Sequence, residues 1–412
     1  MKYGCIGEHL AHSFSKEVHG ALCDYEYELC EIERENLDAF MQKRDFNAIN
    51  VTIPYKELVI PHMHSIDEHA REIGAVNTVV NRDGKLYGYN TDFYGMSCLI
   101  GHAGVEVKGK KVVILGTGGT SKTAFAVSKS LGAKEIIKVS RAPDKDSVSY
   151  SELYENHCDA EIIINTTPVG MYPNICDCPT DISRFENLSG VIDVIYNPLK
   201  TPLILEAEKK GIPCEGGLYM LIKQAVRACE IFTDKKMPDS DADAVFGKIL
   251  RDKQNLVLIG MPASGKSTVG RELARLLSKK FIDTDTLIEK RANKTITKIF
   301  KECGEAGFRR LESEIIKETA SENGAVIATG GGAVLNRQNV DLLRENGRIF
   351  FIDRPLDSLL PTPDRPLALN AEEIRKRYEE RYGIYLASAD EKINADTTVD
   401  SVVKEIERIF GL

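Results

Sequence analysis

What the chain lacks narrows it first. In 412 residues no apolar run reaches the roughly 18 residues that a membrane helix needs, so no membrane partner is expected. The opening MKYGCIGEHLAHSFSK has no export-signal layout, because its apolar part is short and runs into polar residues. The ten cysteines follow no repeated spacing, which predicts free thiols in a reducing cytoplasm rather than a disulfide framework. Cys176 and Cys178 form a single CxC with no second pair and no nearby histidine, so no zinc site is expected there. An excess of positive charge is also missing. The net charge is −8, which argues against nucleic acid as the main partner. No histidine occurs beyond residue 160, and His62, His64 and His69, which cluster, read as a solvated helix start. Neither an internal repeat nor a low-complexity tract is present.

What remains is the composition of a globular protein, with 42% apolar and 28% charged residues. The length implies two or three domains. Apolar runs alternate with helical patterns, which predicts an α/β fold. Strands are expected at residues 112–115, 135–139, 161–165 and 190–195, then at 255–259, 325–329 and 348–352. The polar, acidic segment from Phe232 to Lys248 is expected to hold a surface turn between two halves.

Chemistry is densest in the second half. LIGMPASGKSTVG follows a strand and opens a helical pattern, and it satisfies G-x-x-x-x-G-K-S from Gly260 to Ser267. Backbone N–H groups of such a turn and the helix N-terminus face phosphate oxygens. Gly260, Ala263, Ser264, Gly265, Lys266, Ser267 and Thr268 are therefore the candidate ATP grip. Lys266 would charge-pair with the β/γ oxygens, and Ser267 would offer a hydroxyl to Mg²⁺. FIDTD then places Asp283 and Asp285 two apart at a strand end. GFRRLE places Arg309 and Glu312 at i, i+3 on a helix. ATGGGAV supplies three glycines at another strand end, where backbone can approach a ligand closely. DRPL (364–367) and RYGIY (381–385) follow.

In the first half, KKVVILGTGGTSK reads as a strand, a turn of Gly116, Thr117, Gly118, Gly119 and Thr120, and a helix start near Ser121. About 25 residues beyond Gly116, where an NAD site would carry an acidic residue, stand Ser140 and Arg141 with Lys145 nearby. A hydroxyl and cations suit a 2′-phosphate, so NADP(H) is predicted over NAD. Upstream lies an unusual density of short polar side chains between apolar residues, in HSFSK, NVTIPYK, GAVNTV and YNTD.

In its order of motifs, P-loop, DxD, FRxxE, GGG, RPL and late RxxxY, the second half resembles shikimate kinase over nearly all of about 160 residues. The resemblance implies phosphorylation of the 3-hydroxyl of shikimate by ATP. It also implies that Arg309 and Arg381 hold the carboxylate and that Asp285 binds ring hydroxyls as the candidate base. Asp283 would order Mg²⁺ through water, Gly331 and Gly332 would floor the ring, and Arg365 would close in a lid. That lid, LLPTPDRPL, is short and proline-rich.

Residues 1 to about 250, with INTTPVGM, DVIYNPLKTPL and GGLYMLIKQA completing the pattern, resemble shikimate dehydrogenase. This implies reversible reduction of 3-dehydroshikimate by NADPH. Ser13, Ser15 and Tyr196 would bind the carboxylate, and Thr52, Asn77, Asp92 and Gln224 the ring hydroxyls. Lys56 and Asp92 would be the catalytic pair, the ammonium polarising the carbonyl and protonating the alkoxide while the carboxylate orients it. Gly217 and Val194 would lie by the nicotinamide. Lys16 stands where proline follows the second serine in that family, and Thr117 and Thr120 stand where alanines are usual.

The expected architecture is thus a two-lobe unit followed by a kinase domain. A substrate lobe (1–98, completed by 212–251) and a Rossmann-like NADP-binding domain (99–211) precede a P-loop domain (252–412). The partners would be 3-dehydroshikimate and shikimate, with a homodimer left open. Two other readings stay open from sequence: a quinate-preferring or inactive first half, and a kinase-like half that only senses ligand.

Overall fold

The computed structural model describes residues 1–10, 14–359 and 371–411. Ser13 and Arg365 lie outside the described residues. The chain divides into two compact units, Met1–Ile249 and Leu250–Leu412.

The first unit holds two sheets. One is mixed, with β1 (Tyr3–Gly7), β2 (Tyr27–Glu31), β3 (Ala48–Val51), β4 (Ser65–Ile66), β5 (Thr78–Arg82) and β6 (Lys85–Tyr89) in the order β2-β1-β3-β5-β6-β4. The β3–β5 and β5–β6 pairs are antiparallel and the others parallel. The second sheet is wholly parallel: β7 (Lys111–Leu115), β8 (Glu135–Val139), β9 (Ile162–Asn165), β10 (Gly190–Asp193) and β11 (Cys214–Glu215), in the order β11-β10-β9-β7-β8. Helices cover a parallel sheet on both faces, so its strands read as unbroken apolar runs. Val112 to Leu115 and Ile162 to Ile164 are accordingly fully buried. Each such side chain contributes roughly 1.5–3 kcal/mol of transfer free energy. The chain passes from β7 out to β8 and then back across to β9, so the strand order reverses between β7 and β9. Ligands of open α/β sheets bind outside that point.

Helix Thr91–His102 spans the expected lobe boundary at residue 98 and packs along helix Leu218–Thr233, which returns to the first lobe. The turn expected within 232–248 falls at residues 234–238, and the rest of that segment belongs to helices, one of which runs from Asp239 to Lys253. Its sequence explains this. Ala242, Val245, Phe246 and Ile249 fall at helical spacing, and Ala242, Val245 and Ile249 are buried. Asp239 and Asp241 sit in its first turn and Arg251 and Lys253 in its last, as the helix dipole favours. Lys223 Nζ donates to Asp239 at 2.8 Å and Tyr219 Oη to Asp243 at 3.2 Å, docking this helix on the first unit.

The second unit carries one parallel sheet of β12 (Asn255–Ile259), β13 (Lys280–Asp283), β14 (Ala325–Ala328), β15 (Gly347–Asp353) and β16 (Glu391–Asn394). The order is β13-β14-β12-β15-β16, with the P-loop strand in the middle. No described helix is long and apolar enough to cross a membrane.

Candidate active sites

A cleft of about 440 Å³ opens in the first unit. From the mixed-sheet lobe it is lined by Ser15, Thr52, Lys56, Asn77 and Asp92, and the returning helix adds Gln224. From the parallel-sheet lobe come Thr120, Met171, Val194, Tyr196 and Gly217. The chain places these side chains by short-range means. Thr52 and Lys56 sit in the turn after β3, pinned by the fully buried Tyr55, whose hydroxyl donates to the Ile32 carbonyl. Asp92 lies in the first turn of the Thr91–His102 helix, whose N-cap Asn90 accepts from the Phe93 N–H.

Lys56 Nζ lies 2.6 Å from Asp92 Oδ2. Beside them a hydrogen-bonded set holds the wall. Asn77 Oδ1 accepts from the Thr91 N–H (2.8 Å), from Thr91 Oγ1 (3.2 Å) and from Thr78 Oγ1 (3.0 Å). Asn77 Nδ2 donates to Gln224 Oε1 at 3.4 Å. With Asn77 Oδ1 saturated, its amide hydrogens face Gln224 and the cleft, a donor pattern suited to hydroxyl oxygens. Burial pushes the Tyr196 phenol up, so it remains a donor, and pushes the Cys5 thiol up to about 12, so it is not a nucleophile.

The nucleotide end is built on the β7–β9 reversal. The Gly116 N–H donates to the Val139 carbonyl at 2.8 Å, which ties the glycine turn to the end of β8, where Ser140, Arg141 and Lys145 follow. Arg141 and Lys145 are exposed there, away from the cleft lining. Gly118 and Gly119 open the Gly119–Ser130 helix and face open space, a cradle that a pyrophosphate fits. Gly217 is required by close approach, since a Cβ there would lie 2.0 Å from the Val194 carbonyl oxygen. Lys122, in that helix, pairs with Glu57, the neighbour of Lys56, at 2.6 Å.

Sequence reasoning missed Thr91 and Asp193. The Asp193 carboxylate is wholly buried and accepts from Asn165 Nδ2 (3.0 Å), the Ile195 N–H (3.0 Å) and Thr201 Oγ1 (2.7 Å). Asn165 Oδ1 in turn accepts from the Thr167 N–H and hydroxyl. The loops after β9 and β10, which carry Met171, Val194 and Tyr196 to the cleft, are thereby bound together. Burial raises Asp193 to about 6 against those three bonds. The available signal was a polar residue ending each of two apolar strands, in IIIN and GVID.

In the second unit the P-loop takes the expected form. Ala263, Gly260 and Gly265 all have positive φ, and Ser264 and Lys266 are buried. Lys266 Nζ donates to the Gly260 and Met261 carbonyls at 2.9 and 2.8 Å. Ser264 Oγ is buried without a protein partner, as an oxygen-binding group at a phosphate site would be. Thr268 is exposed in the first turn of the Lys266–Leu276 helix. Ser267 Oγ donates to Asp283 Oδ2 at 2.7 Å. A hydroxyl beside a carboxylate is a hard-oxygen set that fits Mg²⁺. Asp283 Oδ1 caps the next helix, accepting from the N–H groups of Asp285 and Thr286.

Opposite lie the remaining candidates. Helix Ile296–Ala320 is interrupted at Gly304, and Arg309 and Glu312 follow the break. Arg309 Nη1 donates to Glu312 Oε2 at 2.7 Å and Nη2 to Glu305 at 3.1 Å. Burial opposes the Arg309 charge, yet these carboxylates hold its pKa above the ordinary value. Burial pushes Glu312 up against the pull of Arg309, and its Oε1 has no protein partner. Gly332 makes room for the guanidinium, because a Cβ there would lie 2.1 Å from Arg309 Nη1. Arg381, buried on helix Ala371–Ser388, donates to the Gly331 carbonyl at 3.4 Å, and Tyr385 Oη donates to the same oxygen. Asp285 Oδ1 and Glu312 Oε1 flank Gly330. The structure thus brings Asp285, Arg309, Gly331, Gly332 and Arg381 together across from the P-loop.

Of the three clustered histidines, His62 bonds Asp38 at 2.9 Å and His69 stacks on Phe93. Among the described residues no group of three His, Cys, Asp or Glu side chains is arranged to hold a metal. All ten cysteines are free thiols.

A cleft between a substrate lobe and a parallel nucleotide-binding sheet, with a lysine–carboxylate pair on its floor, defines a nicotinamide-dependent oxidoreductase; a P-loop facing two arginines defines a small-molecule kinase. Known proteins give both halves a family. Residues 5–79 match the shikimate dehydrogenase substrate binding domain and residues 262–410 match shikimate kinase. The NADP-dependent shikimate dehydrogenase of Clostridium beijerinckii is 36% identical over 247 residues, covering 56% of this chain and 92% of that protein. Shikimate dehydrogenase 1 of Peptoclostridium difficile superposes with a TM-score of 0.55 at 35% identity, over 60% of this chain and 97% of that one. The Thermus thermophilus enzyme, solved with NADP(H) and shikimate, gives a TM-score of 0.55 at 26% identity, over 60% and 99%. The chain belongs to the shikimate dehydrogenase family and carries a shikimate kinase domain behind it, which makes it an enzyme of the shikimate pathway.

Proposed function

We propose that the chain performs two consecutive reactions on one small acid: NADPH-dependent reduction of 3-dehydroshikimate to shikimate, then ATP-dependent phosphorylation of the hydroxyl so formed. The observation that carries the first step is the 2.6 Å contact of Lys56 and Asp92 in a cleft that also presents Gly217 and Val194. Bound NADPH supplies the hydride. Lys56 Nζ polarises the carbonyl and delivers a proton to the alkoxide oxygen, while Asp92 fixes its direction. Asn77, Thr52 and Gln224 hold the ring hydroxyls, and Ser15 with Tyr196 hold the carboxylate. Ser140, Arg141 and Lys145 take the 2′-phosphate.

For the second step, Arg309 and Arg381 present two cations to the carboxylate, and Asp285 receives the hydroxyl proton. Lys266 and the P-loop amides hold the transferring phosphates, and Ser267 with Asp283 hold Mg²⁺, which neutralises phosphate charge when bound. Charge placement and positioning carry this reaction. The proposed domains are those expected from sequence, with the kinase starting near residue 252.

A coupled assay tests the proposal. Supplied with 3-dehydroshikimate, NADPH and MgATP, the chain should yield shikimate 3-phosphate. Lys56→Ala should stop that product from the keto acid yet leave phosphorylation of added shikimate intact. Loss of both activities together in a folded Lys56→Ala protein contradicts two separate sites.

A further inference from the structure

Arg381 Nη1 reaches the Gly331 carbonyl at 3.4 Å, beyond the usual hydrogen-bond range, and shares that oxygen with Tyr385 Oη. The two residues lie one turn apart on helix Ala371–Ser388. One shared oxygen pins the helix at one point and leaves its rotation free. The neighbouring face of the same helix supplies a second point. Tyr382 Oη donates to Asp353 Oδ2 at 3.0 Å, and Lys392 Nζ stands 3.3 Å from the same oxygen.

Rings pack around this tie. Phe351 stacks on Tyr385 at 5.1 Å and meets Tyr382 edge-on at 5.7 Å, and Tyr378 stacks on Tyr382 at 5.1 Å. These contacts hold the helix against the sheet, but apolar contact is non-directional. The bond to Asp353 is the directional part.

Asp353 is itself firmly placed. It ends β15, pairs in register with Asn394 of β16, and its carbonyl accepts from the Ala395 N–H at 2.8 Å. The same strand borders the P-loop. Phe351 is in register with Ile259 of β12, and a Cβ on Gly260 would lie 2.8 Å from the Ile352 carbonyl oxygen. The strand end that packs against the first P-loop glycine therefore also carries the carboxylate that holds the helix of Arg381. Neither Asp353 nor Tyr382 has a part in the proposed reactions.

We propose that Asp353, through Tyr382, is a positioning residue of the kinase site and sets Arg381 at a fixed place relative to the P-loop. This rests on the proposed role of Arg381 in holding the shikimate carboxylate. A guanidinium that drifts by about 1 Å loses the paired geometry that a planar carboxylate rewards. The P-loop is held by its own strand and helix, so the tie acts on affinity for the acid and not on the grip of ATP.

Steady-state kinetics of shikimate phosphorylation by the full chain test this. Tyr382→Phe keeps the ring and removes the hydroxyl. It should raise KM for shikimate about fivefold, with kcat within about twofold and KM for ATP unmoved. Asp353→Ala should do at least as much. Asp353→Asn, whose amide oxygen still accepts from Tyr382, should recover most of that loss. Adding Tyr382→Phe to Asp353→Ala should change nothing further, since both break one tie. In an Arg381→Ala background, Tyr382→Phe should leave kcat/KM for shikimate unchanged, because the group it positions is gone. An unchanged KM for shikimate in Tyr382→Phe, a parallel rise in KM for ATP, or an undiminished effect in the Arg381→Ala background overturns the positioning role. If the unsubstituted chain does not phosphorylate shikimate, the proposed function fails and the positioning role falls with it. If it does, these variants judge the positioning role alone.

Discussion

In the first unit the functional side chains hold one another. Asp92 orients Lys56, Asn77 is fixed by Thr91, Thr78 and Gln224, and the set is complete before any ligand arrives. In the second unit the functional cations are held by carbonyl and carboxylate oxygens of the protein and meet an anion only when ligand binds. Lys266 donates to its own loop carbonyls, Arg381 to a glycine carbonyl, and Arg309 to two glutamates. A prebuilt site places its cost in folding, whereas cations held by protein oxygens must turn to phosphate and carboxylate on binding. Truncation of the Lys56–Asp92 pair in the first unit should therefore act mainly on turnover, and changes to the cation partners in the second mainly on acid affinity.

The strongest break between the halves comes from the two lysines. Lys56→Ala should lower the reduction rate about 10²- to 10⁴-fold, the range of a general acid, and leave phosphorylation unchanged. Lys266→Ala should do the reverse, at about 10²- to 10³-fold. Steady-state assays of both reactions on both variants read this directly.

Next is Gly332→Ala, whose new Cβ falls on the Arg309 guanidinium. It should raise KM for shikimate in the kinase reaction by on the order of tenfold or more, since displacing a binding group by about 1 Å is costly. Glu312→Gln removes the buried charge that steadies Arg309 and should raise the same KM by about tenfold, with a smaller change in kcat. Equal losses in kcat and kcat/KM would instead place Glu312 in the transition state.

The third effect is on stability. Burial raises Asp193 to about 6, so between about pH 4 and 6 the folded chain binds a proton there that the unfolded chain has lost. Its contribution is present below the ordinary carboxylate pKa and is lost as pH rises through about 6. His19 runs oppositely. Buried and neutral, it costs stability as pH falls below its ordinary value toward about 3. In urea denaturation of the first unit's transition, Asp193→Asn should remove the falling component and leave a profile that rises more steeply with pH from 4 to 6. An unchanged slope would contradict the assignment. The smallest effect is expected from Lys129→Ala, which breaks an exposed pair with Glu72 at 3.3 Å and should cost at most about 1 kcal/mol.

How much of this was legible in the sequence follows from chain distance. The P-loop, the glycine turn, DxD and GGG are each formed by a few neighbouring residues at strand ends, and the strand pattern is set by local apolar runs. Lys56 and Asp92 were legible only through resemblance, because 36 residues separate them. The Asp193–Asn165 tie joins two strands, and the Tyr25–Cys229 contact joins positions about 200 residues apart. Nothing in local composition marks either. The helix at 239–253 was hidden for another reason: its apolar positions are sparse among acids, and burial against the first unit stabilises what propensity alone does not.

The central claim is that each unit has its own pocket for the same acid. Calorimetric titration of shikimate into the full chain, without NADP or ATP, tests it most directly. Two molar equivalents should bind, one lost in Asn77→Ala and the other in Arg309→Ala with Arg381→Ala. A single equivalent abolished by either set of substitutions in folded protein, or no binding at all, would contradict it.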